Sequence, residues 1–289
     1  MEIKSKIHIE SIHLITSSLN KFLIKNSIKE SDLLSIQSLL DILLRIIPLP
    51  QYNCIPAQLE RLTINETIPP FKNEKLRHIK DIKYPPKEVV KKYGRCNVLN
   101  QSILYGAFHM ITAIEEMKPE VGKFVTHTEW KIKENMSLRM FPIFFITQGG
   151  KRGHNSLSLE IKDLHEEYKS GFSQQDQDAL DMAMEFLAKC FSKDIERTNH
   201  FDYFLSAYIS KKIFEINPIG YEGIIYPSVQ SKLAFSNMAI RPEVFEEKFI
   251  LSEIRHEMNI VQPGRNGINY VSSRSQKFDQ NTGLIVWDD

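Results

Sequence analysis

Groups able to do chemistry are concentrated between Gly94 and Glu120. Arg95 sits in the turn Gly94-Arg95-Cys96-Asn97, Tyr105 in the apolar run Ile103-Leu104-Tyr105-Gly106-Ala107, and the carboxylates Glu115, Glu116 and Glu120 at the end of the run that follows. There the apolar residues pass from extended spacing to Met110, Ile114 and Met117, so the unit reads as a turn, a strand and a short amphipathic helix stopped by Pro119. A guanidinium grips phosphate oxygens, a phenol ring stacks on a planar base, and a carboxylate stabilises a developing cation. Such a trio suits a substrate that carries phosphate, a ring and positive polarisation. Glu115 and Glu116 flank the apolar stripe on opposite sides and Glu120 lies one turn further on, so spacing alone leaves all three open.

Other chemistries find less support. The nine histidines are scattered without an HExxH pair, and there is no GxSxG elbow, which counts against a metal hydrolase and an elbow-type serine hydrolase. Cys96 adjoins Arg95, a neighbour able to lower a thiol pKa, but no histidine accompanies it and it reads as a small packed cysteine. Gln148-Gly149-Gly150-Lys151-Arg152-Gly153 is a basic turn able to hold a phosphate. It lacks both the Walker spacing and GxGxxG, so an ordinary turn is expected. Arg61 falls in an expected strand from Leu59 to Ile64, where its alternation with Leu62 and Ile64 leaves a cleft-facing position open.

Composition sets the frame. With 289 residues, 42% hydrophobic and 25% charged, the chain can bury a sizeable core in one elaborated domain or two small ones. Lysine and arginine total 37 against 36 acidic residues, a net charge of +1, so nothing global attracts a polyanion and nucleic acid is not an expected partner. Cys54, Cys96 and Cys190 lie far apart with no CxxC pair, which points to a reducing, cytoplasmic setting and to no disulfide or zinc framework. Glu2, Lys4, Lys6 and Glu10 interrupt the N-terminus, and the most apolar stretch, Leu39 to Leu49, is short and contains Asp41 and Arg45. Neither a signal peptide nor a membrane span is expected.

The elements that must position the chemical groups follow from periodicity. Residues 1–50 read as a helical hairpin, with Ile12, Ile15, Leu19, Phe22 and Leu23 on one helix and Leu33, Leu34, Ile36, Leu39, Leu40, Leu43 and Leu44 on the next, ended by Pro48 and Pro50. They form an N-terminal extension packed on a main domain of residues 51–289. Tyr52 to Pro86 reads as loops around the Leu59–Ile64 strand. Phe124, Thr126, Thr128, Trp130 and Ile132 share one face of a strand, and the apolar run Met140–Ile146 is expected beside it as an antiparallel neighbour. Residues 155–216 read as three helices covering a sheet, with Lys169–Gln174 as a candidate linker. Strands return at Gly223–Ser228, Asn237–Ile240, Phe249–Ile260 and Ile268–Val271, with a turn at Gly264–Gly267, and Leu284–Trp287 reads either as a terminal strand or as a mobile tail.

Several of these pieces, in this order, resemble the RES domain, the toxin component of bacterial Xre-RES toxin–antitoxin pairs. They are Gly94-Arg95-Cys96-Asn97, Leu104-Tyr105, Ala113 followed by Glu116, and Gly223-Ile224-Ile225-Tyr226-Pro227-Ser228 with Asn237 nine residues on. The resemblance spans residues 58 to 260 and leaves out the helical extension. It implies an α+β fold, with an ADP-ribosyltransferase-like antiparallel or mixed β core surrounded by helices. It further implies a cytoplasmic enzyme that degrades NAD+ by cleaving the nicotinamide–ribose bond, with NAD+ as substrate, no metal or other cofactor, and a cognate antitoxin protein as partner.

Carried over position by position, the resemblance implies Arg61, Tyr105, Glu116 and Ser228 as catalytic residues. It implies Arg61, Arg95, Tyr105, Ser228 and Asn237 as contacts to NAD+. Spacing from Tyr105 selects Glu116 among the three carboxylates. Two positions depart from the family: Cys96 stands where an aromatic often follows the second arginine, and Glu60 where an aromatic commonly precedes the first. Both bear on the adenosine side more than on the reaction. Nicotinamide leaves a pyridinium as a neutral molecule, so the bond needs no general acid. One carboxylate to stabilise the oxocarbenium-like sugar suffices, where ordinary glycosidases use two. On this reading Arg61 and Arg95 clamp the pyrophosphate, Tyr105 stacks on nicotinamide and Ser228 bonds the nicotinamide or its ribose. The acceptor stays open: water makes a glycohydrolase, phosphate a phosphorylase, a protein side chain an ADP-ribosyltransferase. A catalytically silent binding module is the remaining alternative.

Overall fold

Two amphipathic helices open the structure. α1 (Ile9–Ile24) buries Ile12, Ile15 and Leu19, and α2 (Leu33–Ile46) buries Ile36, Leu40, Leu43 and Leu44. α2 ends where Ile47 turns extended ahead of Pro48, as a residue before proline tends to do. This computed structural model describes residues 9–25, 27–67, 74–146, 156–195, 199–216, 220–259 and 269–288.

The remaining elements in chain order are β1 (Tyr52–Cys54), β2 (Leu59–Ile64), β3 (Leu104–Ala107), α3 (Met110–Met117), β4 (Phe124–Ile132), β5 (Leu138–Pro142), α4 (Ser156–Lys169), α5 (Gln174–Ser192), α6 (Phe204–Glu215), β6 (Gly223–Pro227), β7 (Ser236–Ile240), α7 (Pro242–Lys248), β8 (Phe249–Asn259), β9 (Asn269–Ser275), β10 (Lys277–Phe278) and β11 (Ile285–Val286). The fold is therefore α+β, built on a nine-stranded mixed sheet in the order β1-β5-β6-β7-β3-β2-β4-β8-β9, with β10 and β11 as a separate pair. Its neighbours are antiparallel except β5 and β6, which run parallel. α1 packs on α5 and α2 on α6, and their buried side chains join those of the sheet in one cluster that also takes in Leu180, Met184, Leu187 and Phe191 of α5.

The expected pairing of the fourth strand with the apolar run after it does not occur. β4 pairs with β2 and β8, whereas β5 lies between β1 and β6, and it ends at Pro142 rather than at Ile146. The reason lies in burial. β5 is buried at four of its five positions, as suits a strand covered on both faces, and contiguity in sequence does not outweigh that. α7 and the short β1 were not expected; α7 starts on Pro242 at its first helical position, which favours initiation. The basic turn at Gly149–Gly153 and the turn at Gly264–Gly267 lie outside the described residues.

A second, smaller cluster positions the site. α3 sets Ala113 and Ile114 onto Leu62 of β2, Ala107 of β3 and Val125 of β4. Truncating Ile114 to Ala would cost about 2–4 kcal/mol and loosen the one helix that carries the candidate carboxylates.

Candidate active site

α3 stops after two turns because Lys118 precedes Pro119 and takes a left-handed conformation, φ 49°, with its N–H bonded to the Ile114 carbonyl at 2.8 Å. The helix face that packs on β2 and β3 fixes where its carboxylates go. Glu116 Oε1 accepts hydrogen bonds from Ser228 Oγ at 2.6 Å and from Asn237 Nδ2 at 2.8 Å. Asn237 stands on β7 between Ala107 on β3 and Tyr226 on β6, and Ser228 directly follows β6. Two sheet elements and one helix thus converge on a single oxygen, held by a hydroxyl and an amide.

Glu115 goes elsewhere. Its Oε2 is buried with no hydrogen-bond partner, and burial, reinforced by the neighbouring Glu116, raises its pKa. Glu116 lines a cleft of about 1040 Å³; Glu115 and Glu120 do not. Of the three carboxylates that spacing leaves open, α3 packing sets Glu116 at the cleft.

Arg61 lines the same cleft from β2. Its Nη1 donates to the Tyr105 carbonyl at 2.8 Å, while its Nε is buried without a partner and no ion pair joins it to any described residue. Desolvation pushes its pKa down to about 10, still far above neutrality, so the group stays charged. A half-buried guanidinium that faces a cavity with no carboxylate partner among the described residues is suited to bind an anion.

Tyr105 and Arg95 also line the cleft, yet both are partly committed to the fold. The Tyr105 hydroxyl donates to Asn97 Oδ1 at 2.8 Å and accepts from the Cys96 N–H at 2.7 Å, which ties β3 to the 94–97 turn. Gly94 is required in that turn, since a Cβ there would collide with Asn97 Oδ1 and sit 3.1 Å from the Tyr105 hydroxyl. Arg95 Nη1 donates to the carbonyls of Phe191 at 2.5 Å and Lys193 at 3.2 Å, capping the C-terminal end of α5, and its guanidinium lies 5.3 Å from the Tyr203 ring centre. Cys96 is fully buried and burial pushes its thiol up to about 12, so it is not a nucleophile.

Ser228, which the resemblance implies as a catalytic and substrate-contacting residue, is wholly buried and is not among the residues that line the cleft; its Oγ donates to Glu116 and accepts from the Ser231 N–H at 3.2 Å. It holds the carboxylate in place. Asn237 lines the cleft and shares that duty.

Lys118, Asp194, Tyr203 and Gln230 line the cleft without any role read for them in the sequence, and so do Glu60, read only as a departure from the family, and Tyr226, read only as part of a motif. Asp194 and Tyr203 come from the α5–α6 connection, where no local pattern marks them. Glu60 is 3% exposed and ties the cleft wall to a buried network: it meets His127 Nε2 and takes Gln58 Nε2 at 2.6 Å, while His127 Nδ1 faces Arg255, whose Nε lies 3.2 Å from Glu257. Among the described residues no group of three or more metal-ligating side chains is arranged to hold an ion, and no helix is long and apolar enough to cross a membrane.

Comparison with protein-family models and with curated proteins returns no match.

Proposed function

We propose that this protein cleaves the nicotinamide–ribose bond of NAD+, by hydrolysis or phosphorolysis, on an ADP-ribosyltransferase-like β core of the RES type. One observation carries the reading: the half-buried guanidinium of Arg61, with no ion pair to any described residue and a buried Nε without a hydrogen bond, lines the same dinucleotide-sized cleft as a carboxylate, Glu116, fixed by Ser228 and Asn237. An anion-binding cation and an oriented carboxylate in one hollow are what a pyridinium dinucleotide requires.

In this scheme Arg61 takes the pyrophosphate, with Arg95 contributing only what its carbonyl contacts leave over. Glu116 stabilises the sugar as positive charge develops on it, and nicotinamide departs without a proton. Tyr105, anchored through its hydroxyl, offers its ring as a wall of the cleft. NAD+ is substrate, and the scheme asks for no metal. The same reading makes the protein toxic on expression and gives it a cognate antitoxin.

The test is incubation of purified protein with NAD+, with and without inorganic phosphate, followed by product identification. Nicotinamide with ADP-ribose identifies a glycohydrolase, and a phosphate-dependent phosphorylated ADP-ribose identifies a phosphorylase. A labelled protein band from labelled NAD+ would identify a transferase instead. Intact NAD+ after prolonged incubation at high protein concentration would leave a binding module and refute the proposal.

A further inference from the structure

Buried tyrosines in this fold satisfy their hydroxyls within the protein, with one exception among the described residues. Tyr52 donates to Glu160 at 3.0 Å and Tyr208 to Asp41 at 3.0 Å. Tyr226 is 5% exposed and its ring packs against Phe191, centroids 6.0 Å apart, yet no described residue hydrogen-bonds its hydroxyl. The hydroxyl is not one of the fully enclosed partnerless atoms, and the residue lines the cleft, so a donor that no described residue takes up faces the space a ligand would fill.

That position is next to the reacting end. Tyr226 on β6 stands opposite Asn237 on β7, the residue whose amide holds Glu116. We infer that Tyr226 is a substrate-binding residue whose hydroxyl donates a hydrogen bond to the ribose that Glu116 faces, the sugar of the ADP-ribosyl group. The inference rests on the NAD+ reading above and adds to it a contact that was assigned no role. Burial raises the Tyr226 phenol well above its ordinary range, so it keeps its proton and acts as a donor, not as a base. Tyr105 cannot substitute, because its hydroxyl is already spent on Asn97 and Cys96.

Calorimetric titration of the full chain and of Tyr226→Phe with ADP-ribose and with AMP tests this, since AMP lacks the second ribose. Phe keeps the ring, and equal melting temperatures check the packing. Affinity for ADP-ribose should fall about 5- to 15-fold in the variant while AMP binding stays unchanged. Unchanged ADP-ribose affinity in a protein that cleaves NAD+ overturns the assignment of Tyr226 alone. Equal weakening of both ligands also overturns it, because the ring would then be acting through cleft shape. An unaltered protein that neither binds ADP-ribose nor cleaves NAD+ overturns the functional reading, and this inference with it.

Discussion

Two charged regions share one sheet and are built oppositely. In the network behind β2, Arg255 lies within 3.2 Å of Glu257 and 3.6 Å of Glu253, and His127 meets Glu60 and Arg255 together. In the cleft on the other side of Glu60, Arg61 keeps a buried Nε, and Tyr226 a cleft-lining hydroxyl, that no described residue hydrogen-bonds. Charges that satisfy one another fix register between strands; polar valence left over beside a cavity is reserved for something that arrives from outside. Both regions look alike as composition, and only geometry separates them.

The largest effect that would break this contrast belongs to Glu116. Glu116→Gln keeps an oxygen for Ser228 and Asn237 to bond but removes the charge, so NAD+ loss should fall about a thousand-fold with the melting temperature within about 2 °C of the original. Glu115→Ala should leave turnover within about two-fold, since its carboxyl points away from the cleft. The opposite ranking in a nicotinamide-release assay would mean that α3 presents its other side to substrate.

Arg61 and Arg255 separate function from stability most sharply. Arg61→Gln should raise KM about 30-fold while stabilising the fold by about 1 kcal/mol, because an uncompensated charge leaves the interior. Arg255→Met should do the reverse, costing about 2 kcal/mol by removing the cation that Glu253 and Glu257 share and leaving KM unchanged. Denaturant midpoints measured alongside kinetics decide it: a destabilised Arg61 variant with normal KM would make that cation structural, and the two regions would no longer differ in kind.

How far the sequence foretold this arrangement depends on how local each feature is. The strand at Leu59–Ile64, the turn–strand–helix unit from Gly94 to Met117 and the paired runs at Gly223–Pro227 and Ser236–Ile240 were legible because each carries its own periodicity and stop signals. Arg61, Glu116 and Asn237 came with them. The partner of β5 was not legible, since an apolar run fits any doubly covered slot in a sheet. Tyr203 and Asp194 were invisible because they reach the cleft through the docking of α5 and α6, a long-range event. Arg95 reads as a phosphate ligand from its place in the Gly94–Asn97 turn that carries the resemblance, and only the placement of the α5 terminus shows where its Nη1 goes.

The smallest effect sharpens the contrast through pH. Glu222 is buried against Lys248 Nζ at 2.6 Å, the Arg139 N–H at 2.8 Å and Arg139 Nη2 at 3.1 Å. Burial alone would raise its pKa, but the bonds from Lys248 and the Arg139 backbone outweigh that and hold it below the ordinary 4.5. A carboxyl with a depressed folded pKa stabilises above its unfolded value, and that contribution fades as pH falls through the folded one. Glu222→Gln should therefore cost about 1 kcal/mol at pH 7 and flatten the loss of stability on acidification. Glu115 carries the opposite sign: its pKa is raised, so its charged form is disfavoured, and Glu115→Gln should gain a few tenths of a kcal/mol at pH 7 with the gain vanishing below pH 4.5. Melting curves of the two variants between pH 7 and 3 should thus converge on the parent protein from opposite sides, and parallel curves would show that neither carboxyl differs in charge state between folded and unfolded chains.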